Sequence, residues 1–178
     1  MLNEIIVIIG GPGSGKTSVI DQLFALGQCC YPEVSREITQ QAKADGIDQL
    51  FLTNPILFSQ KLLEGRIDQY KNAKNEGRKV VFIDRGIPDV LAYLKFVDDE
   101  YPEIFETACL DYKYSKIFVL SPWKEIYVSD NERYESFEQS EKIHNHLVQT
   151  YKSYGYNLIE VPKESVENRV SFILNEIK

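Results

Sequence analysis

The chain has 178 residues, of which 43% are hydrophobic, and 20 Lys and Arg against 27 Asp and Glu give it a net charge of −7. This length suits one domain with ample material for a core, and the absence of any run of about 18 apolar residues argues against a membrane span. The surplus of acids disfavours a nucleic-acid partner, because proteins that bind nucleic acids ordinarily present a basic face.

The cysteine and histidine content disfavours disulfide and zinc chemistry. Three cysteines make no paired framework, and two histidines without a Cys-x-x-Cys motif do not supply a zinc site. Residues 1–4 lack the basic start of a signal peptide, and the apolar stretch after them ends in a glycine loop. We therefore expect a cytoplasmic protein that does not engage membranes.

The first predicted element is an apolar strand over residues 4–9, which leads directly into a glycine-rich loop and a helix over 16–27. The loop matches G-x-x-x-x-G-K-[ST] in full. Its glycines let backbone N–H groups point at phosphate oxygens, and the helix adds its positive N-terminal end. Lys16 is expected to reach the β- and γ-phosphates, and the Thr17 hydroxyl to bind Mg²⁺. The residues predicted to bind ATP in this way are Gly11, Pro12, Gly13, Ser14, Gly15, Lys16, Thr17 and Ser18.

The next elements are a short strand and two helices. Residues 28–34 predict the strand, and 35–44 predict a helix with Ser35 as its N-cap. After a loop over 45–54, a long helix is expected to begin at Asn54 and Pro55 and to extend to residue 76.

The third strand, predicted at 79–84, ends in an acid. Asp84 is the expected Walker B partner of the phosphate loop, beside Thr17 and the metal; the alternative is an exposed loop aspartate. Arg85 follows it, where motor-type ATPases commonly carry a second acid that activates water. The pattern therefore favours transfer to a bound acceptor over hydrolysis.

The second half of the chain continues the alternation. A helix is predicted at 88–97 with an acidic, aromatic loop after it, followed by strands at 116–120 and 157–161 and helices at 136–154 and 164–177. Residues 122–137 are polar without a strong period and predict a short lid. Strands separated by helices predict a parallel sheet covered on both faces. We expect one α/β domain over residues 1–178, a three-layer α/β/α P-loop NTPase fold with a five-stranded parallel sheet.

These motifs together carry a family resemblance over nearly the whole chain. GGPGSGKT with FIDRG-x-x-D resembles the nucleotide- and nucleoside-kinase branch of P-loop proteins, including nicotinamide-riboside-kinase-like domains. The chain as a whole resembles the small AAA-domain group of ATPases and kinases, through the E-x-x-R-E pattern at 33–37, residues 127–134 and the closing stretch 155–170. The resemblance implies an ATP-dependent kinase but names no substrate.

The resemblance implies that Glu33 and Arg36 contact the acceptor; a surface salt bridge is the alternative. Asp84 would hold the metal or take the proton of the acceptor hydroxyl. Arg85 would hold the acceptor or a phosphoryl oxygen, unless it forms only an ion pair beneath the loop. Asp89 favours the positive end of the helix in which it lies.

On the nucleotide side, the resemblance implies that Arg133 in the lid meets the transferring phosphoryl group and that adenine stacks near Pro162. Kinase lids carry several arginines, whereas residues 124–138 contain only Lys124 and Arg133 against five acids. Either the acceptor is not itself phosphorylated, or the lid is regulatory. The predicted catalytic residues are Lys16, Asp84, Arg85 and Arg133.

Two smaller groups are ambiguous. His144 and His146 are two residues apart on a helix, so we expect them on different faces and exposed. A group of aromatic side chains is able to stack on a ring-shaped acceptor, although packing in the core is the commoner role. Its members are Tyr112, Tyr114, Trp123, Tyr127, Tyr134 and Phe137.

Two classes of function stay open. The first is phosphoryl transfer from ATP to a small-molecule acceptor, and the second is a nucleotide switch or slow ATPase that regulates a protein partner. A homodimer stays open as well. A nucleic-acid motor is disfavoured by the charge and the small size of the chain.

Overall fold

The computed structural model describes residues 3–127 and 136–178. The strands in this part of the chain are β1 (Glu4–Gly10), β2 (Cys29–Tyr31), β3 (Val80–Asp84), β4 (Lys116–Leu120) and β5 (Leu158–Glu160). The α-helices are α1 (Lys16–Ala25), α2 (Val34–Ala44), α3 (Leu50–Thr53), α4 (Pro55–Asn75), α5 (Ile87–Phe96), α6 (Ile104–Asp111), α7 (Phe137–Ser153) and α8 (Val166–Asn175). A single 3₁₀ turn spans Lys124–Ile126.

All five strands are parallel, in the spatial order β2-β3-β1-β4-β5. The central strand β1 pairs with β3 through Ile8 and Asp84 and with β4 through Gly10 and Leu120. Because the strands run in one direction, their carboxyl ends form one edge, and the phosphate loop leaves β1 at the middle of that edge.

The continuous apolar sequence of β1 reflects cover on both faces of the sheet. Ile6 and Ile8 pack on one face with side chains of α1 and α8, whereas Ile5, Val7 and Ile9 pack on the other with side chains of α4 and α7. Each of the five is at most 2% exposed, which corresponds to about 1.5–3 kcal/mol of transfer free energy per side chain. The predicted three-layer α/β/α fold with a five-stranded parallel sheet is confirmed.

Local details differ from the sequence-based expectations. Helix α2 begins one residue early, and its N-cap is Glu33, whose carboxylate accepts a hydrogen bond from the Ser35 N–H at 3.2 Å. The prediction of Ser35 as the N-cap was therefore wrong. The stretches expected to be loops contain α3 and α6. Helix α6 buries Phe105, Ala108 and Cys109, whose spacing is helical. The acids around them obscured this pattern in the sequence.

Every helix in the described ranges is too short or too polar to cross a membrane.

Candidate active site

The phosphate loop joins β1 to α1 in a conformation that two glycines make possible. Gly13 and Gly15 have φ angles of 73° and 80°, in the left-handed region that L side chains rarely adopt. A β-carbon on Gly13 would collide with the ring of Tyr127. The Ser140 hydroxyl of α7 donates a hydrogen bond to the Pro12 carbonyl at 2.7 Å. The loop is thus fixed by its own glycines and by residues that follow β4.

Lys16 and Asp84 meet at the centre of the carboxyl edge, where the sequence predicts that Asp84 lies beside the phosphate loop. Lys16 Nζ lies 3.5 Å from Asp84 Oδ1, and both residues are buried. Burial and the nearby Arg85 lower the pKa of Lys16, while Asp84 and the other acids oppose the shift. Asp84 Oδ1 has no hydrogen-bond partner among residues 3–127 and 136–178. The Lys16 side chain is therefore held beside a carboxylate oxygen that retains capacity for another ligand.

The donor set fits a magnesium ion that shares its ligands with phosphate. Thr17 is exposed in the first turn of α1, and Asp84 supplies its buried oxygen from the end of β3. Within the described ranges, no group of three or more His, Cys, Asp and Glu residues gathers to form a metal site. Mg²⁺ is commonly bound by one or two carboxylates together with phosphate oxygens and water. The arrangement suits an ion that arrives with a nucleotide.

Beside the phosphate loop, Glu33 forms two ion pairs. Its Oε1 lies 3.0 Å from Arg66 Nη2, and its Oε2 lies 2.6 Å from Arg85 Nε. Burial alone would raise the pKa of Glu33, but Arg66, Arg85 and Lys16 lower it to about 2. Glu33 therefore stays ionised and is a weak base.

Arg85 is held on its other side by Asp89. Arg85 Nη1 lies 3.3 Å from Asp89 Oδ1, and the second oxygen of Asp89 accepts hydrogen bonds from the Gly86 N–H at 2.8 Å and the Tyr151 hydroxyl at 2.6 Å. Burial would lower the pKa of Arg85, but Glu33 and Asp89 raise it. The backbone of Arg85 has a φ of 68°, rare for a non-glycine residue. Both carboxylate partners thus fix the position of this guanidinium.

The other predicted site residues lie farther from this cluster. Arg36 is exposed in the first turn of α2 and forms no ion pair with a residue of the described part of the chain. Pro162 is half-buried in the loop after β5. Arg133 and half of the predicted lid at 122–137, namely residues 128–135, lie outside the described residues. Lys16, Asp84, Glu33 and Arg85 are therefore brought together, while Arg36 stands at the rim of the same edge.

The prediction that the two histidines are exposed was wrong, and most of the aromatic group is accounted for by packing. His144 and His146 are half-buried, and His146 contacts the ring of Phe96 with centroids 5.6 Å apart. Within the aromatic group, Tyr112 and Tyr114 contact the ring of Tyr70, and Tyr127 contacts that of Phe137.

Two buried arginines escaped the sequence analysis. Arg66 donates to the Gly86 carbonyl at 2.6 Å and pairs with Glu33, and Arg169 donates to the Ser14 carbonyl at 2.8 Å. Each is a charge within the apolar face of a helix: Arg66 follows Leu62 and Leu63, and Arg169 stands among Val166, Val170 and Ile173. An arginine within the apolar stripe of a helix was the signal that could have identified both residues, because a buried charge needs a partner.

Comparisons with known proteins agree with this architecture. A family model described as "AAA domain" matches residues 5–169. No curated protein sequence matches the chain. Among solved structures, NadR protein in complex with NR superposes with a TM-score of 0.75 at 17% identity, over 99% of this chain and 49% of that chain. The present chain thus spans about half the length of that protein.

Two shorter proteins match over nearly their full length. Deoxyadenosine kinase from M. mycoides, with dCMP and dCDP bound, gives a TM-score of 0.68 at 15% identity, with 97% of each chain covered. Thymidylate kinase from Candida albicans gives 0.69 at 16% identity, over 99% of this chain and 91% of that chain. The predicted resemblance to P-loop nucleoside and nucleotide kinases is confirmed at the level of the fold, and the chain belongs to the AAA domain family.

Proposed function

We propose that the protein is an ATP- and Mg²⁺-dependent phosphotransferase that acts on a small-molecule acceptor. The observation that carries this proposal is the Glu33–Arg85 ion pair directly beside the Lys16–Asp84 pair. The position after the Walker B acid, where a hydrolytic enzyme carries an acid that activates water, holds a cation bound to two carboxylates. This arrangement supports transfer to a bound acceptor.

On the nucleotide side, the backbone N–H groups of residues 11–18 would bind the phosphates, with Lys16 at the β- and γ-phosphates. Thr17 and Asp84 would hold Mg²⁺, which in such enzymes neutralises charge on the transferring phosphoryl group. Adenine near Pro162, and Arg133 over the phosphoryl group, complete the proposed nucleotide site.

In the proposed reaction, the acceptor oxygen bonds to the γ-phosphorus as the bond to the β–γ bridging oxygen breaks, which leaves ADP. The proton of the acceptor hydroxyl needs a base. Glu33, with its pKa lowered to about 2, is poorly suited, whereas Asp84 Oδ1 has no hydrogen-bond partner in the described ranges. We therefore propose that Asp84 either takes this proton or holds Mg²⁺, and that Glu33 and Arg85 shape the acceptor side.

Nucleoside-like compounds are the first acceptors to test. The fold is shared with a protein solved with NR and with a deoxyadenosine kinase. Arg36, exposed at the same edge and without an ion pair in the described ranges, is placed to bind a carboxylate or phosphate of the acceptor in bidentate fashion. Placement in the cytoplasm is part of the proposal, supported by three free cysteines.

The test is a coupled assay of ADP release with MgATP across a panel of nucleosides, vitamins and sugars. One acceptor class should raise turnover at least about tenfold above the rate without acceptor. Turnover that no acceptor stimulates would contradict the phosphotransferase.

The alternative is a nucleotide switch or slow ATPase that regulates a protein partner, and the acidic sequence at 124–138 is the observation that favours it. Partner binding that depends on the nucleotide, without acceptor-stimulated turnover, would select this alternative.

A further inference from the structure

Arg169 is a buried cation that contacts the phosphate loop from behind. Its side chain rises from α8 and is 3% exposed, and Nη2 donates to the Ser14 carbonyl at 2.8 Å. A β-carbon on Gly15 would lie 2.7 Å from Arg169 Nη1, so the guanidinium fills the space that this glycine leaves open. The contact therefore reaches the residue directly before Lys16.

Arg169 differs from the other buried cations of the described ranges in its lack of a carboxylate partner. Lys16 is paired with Asp84 and Arg66 with Glu33, whereas no ion pair reaches Arg169 from residues 3–127 and 136–178. Its Nε also lacks a hydrogen-bond partner there. Burial lowers the pKa of Arg169, and no acid in this part of the chain opposes the shift.

A buried charge without a counter-ion is unfavourable, because it loses hydration without gaining an ion pair. That free-energy cost is offset when a bound anionic ligand supplies the missing counter-ion. The loop that Arg169 contacts is the one that, under the proposed function, binds three phosphate groups. A cation in a low-dielectric position behind that loop attracts those charges more strongly than an exposed cation does.

We propose that Arg169 is a positioning residue for the nucleotide: it holds the Ser14 carbonyl and supplies, through the loop, a counter-charge to the bound polyphosphate. This inference rests on the proposed function and extends it. Affinity should then depend on the charge at position 169 and on the number of phosphates in the ligand.

The experiment compares variants that separate charge from hydrogen bonding. Arg169→Lys keeps the charge, whereas Arg169→Gln keeps an N–H donor and loses the charge; Arg169→Met is a second neutral variant. Arg78→Gln is the matched control, since Arg78 is exposed and precedes β3 at the opposite edge of the sheet. Calorimetry gives the Kd for MgATP, MgADP and inorganic triphosphate, and circular dichroism gives the folded fraction.

We expect Arg169→Gln to weaken MgATP at least about tenfold and MgADP less, and Arg169→Lys to lose less than about threefold. Arg169→Met should lose as much affinity for MgATP as Arg169→Gln. If Arg169→Gln does not fold, Arg169→Met measures the effect of the charge in its place. The counter-charge role of Arg169 would be overturned if the neutral variants bound MgATP as tightly as Arg78→Gln does. It would also be overturned if Arg169→Lys bound MgATP as weakly as the neutral variants do. Failure of the wild-type protein to bind MgATP would instead overturn the proposed function itself.

Discussion

Glu33 Oε2 lies 2.6 Å from Arg85 Nε, so the residue directly after the Walker B acid is bound to the N-cap of the helix that follows β2. The pair joins the ends of two neighbouring strands at the carboxyl edge of the sheet. Because Glu33 also binds Arg66, one carboxylate is shared between two arginines beside the phosphate loop.

This arrangement predicts a dependence of stability on pH that is specific to Glu33. The pKa of Glu33 is lowered from 4.5 to about 2, so its contribution to stability is complete above about pH 4.5 and is lost as the pH falls through about 2. Glu33→Gln should remove that dependence and lower the free energy of unfolding at neutral pH by about 2–4 kcal/mol, because Arg66 loses its carboxylate partner and Arg85 loses one of two. Urea unfolding from pH 7 to about pH 2 measures both effects.

Glu141→Gln is the control for this series, since Glu141 is exposed on α7. An acid transition in Glu33→Gln that matches those of the wild type and of Glu141→Gln would assign the pH dependence to other carboxylates.

Lys16→Ala should weaken MgATP by about tenfold to a hundredfold or more, because it removes the charge-assisted contacts that Lys16 would make to the phosphates. Asp84 would also lose the cation 3.5 Å from its Oδ1. Calorimetric titration with MgATP measures the loss, and Lys79→Ala, an exposed position before β3, serves as the control. Wild-type affinity in Lys16→Ala would contradict the nucleotide site.

Asp84→Asn should lower kcat by about 10²-fold or more while the affinity for ATP changes far less. The carboxylate is proposed to hold Mg²⁺ or to take a proton, and either role matters chiefly in the transition state. Steady-state kinetics beside equilibrium ATP binding separate the two quantities. Equal losses in rate and affinity would mean that Asp84 mainly holds the ground-state complex.

Arg36→Ala should raise the KM for the acceptor several-fold and spare ATP, because an exposed guanidinium without a partner in the described ranges is free to bind the acceptor. Arg36→Lys should restore little, since a lysine cannot form the bidentate contact. The KM for each substrate decides the assignment. A loss of ATP affinity with an unchanged acceptor KM would place Arg36 on the nucleotide side.

The sequence predicted the sheet because its strands are apolar runs separated by helices. The start of α4 was also clear, at Asn54, whose side chain accepts from the Leu57 N–H. The sequence also predicted that Asp84 lies beside the phosphate loop, since the loop and Asp84 lie at the carboxyl ends of neighbouring strands. It missed the partners Arg66 and Arg169, which come from distant helices. A local sequence pattern does not predict which distant carbonyl or carboxylate a long side chain will contact.

The cap of α2 was misplaced for a related reason. Ser35 is a good N-cap by residue type, but Glu33 lies between two arginines and begins the helix earlier. Tertiary charge thus decided a boundary that local preference had assigned to Ser35.

The most direct test of the account follows the γ-phosphoryl group itself. Phosphorus NMR of wild-type protein with MgATP and the acceptor identified in the panel would record each product as it forms. The account predicts a phosphorylated acceptor and ADP in equal amounts, with little inorganic phosphate. Inorganic phosphate in place of the phosphorylated acceptor would contradict phosphoryl transfer and identify the protein as an ATPase.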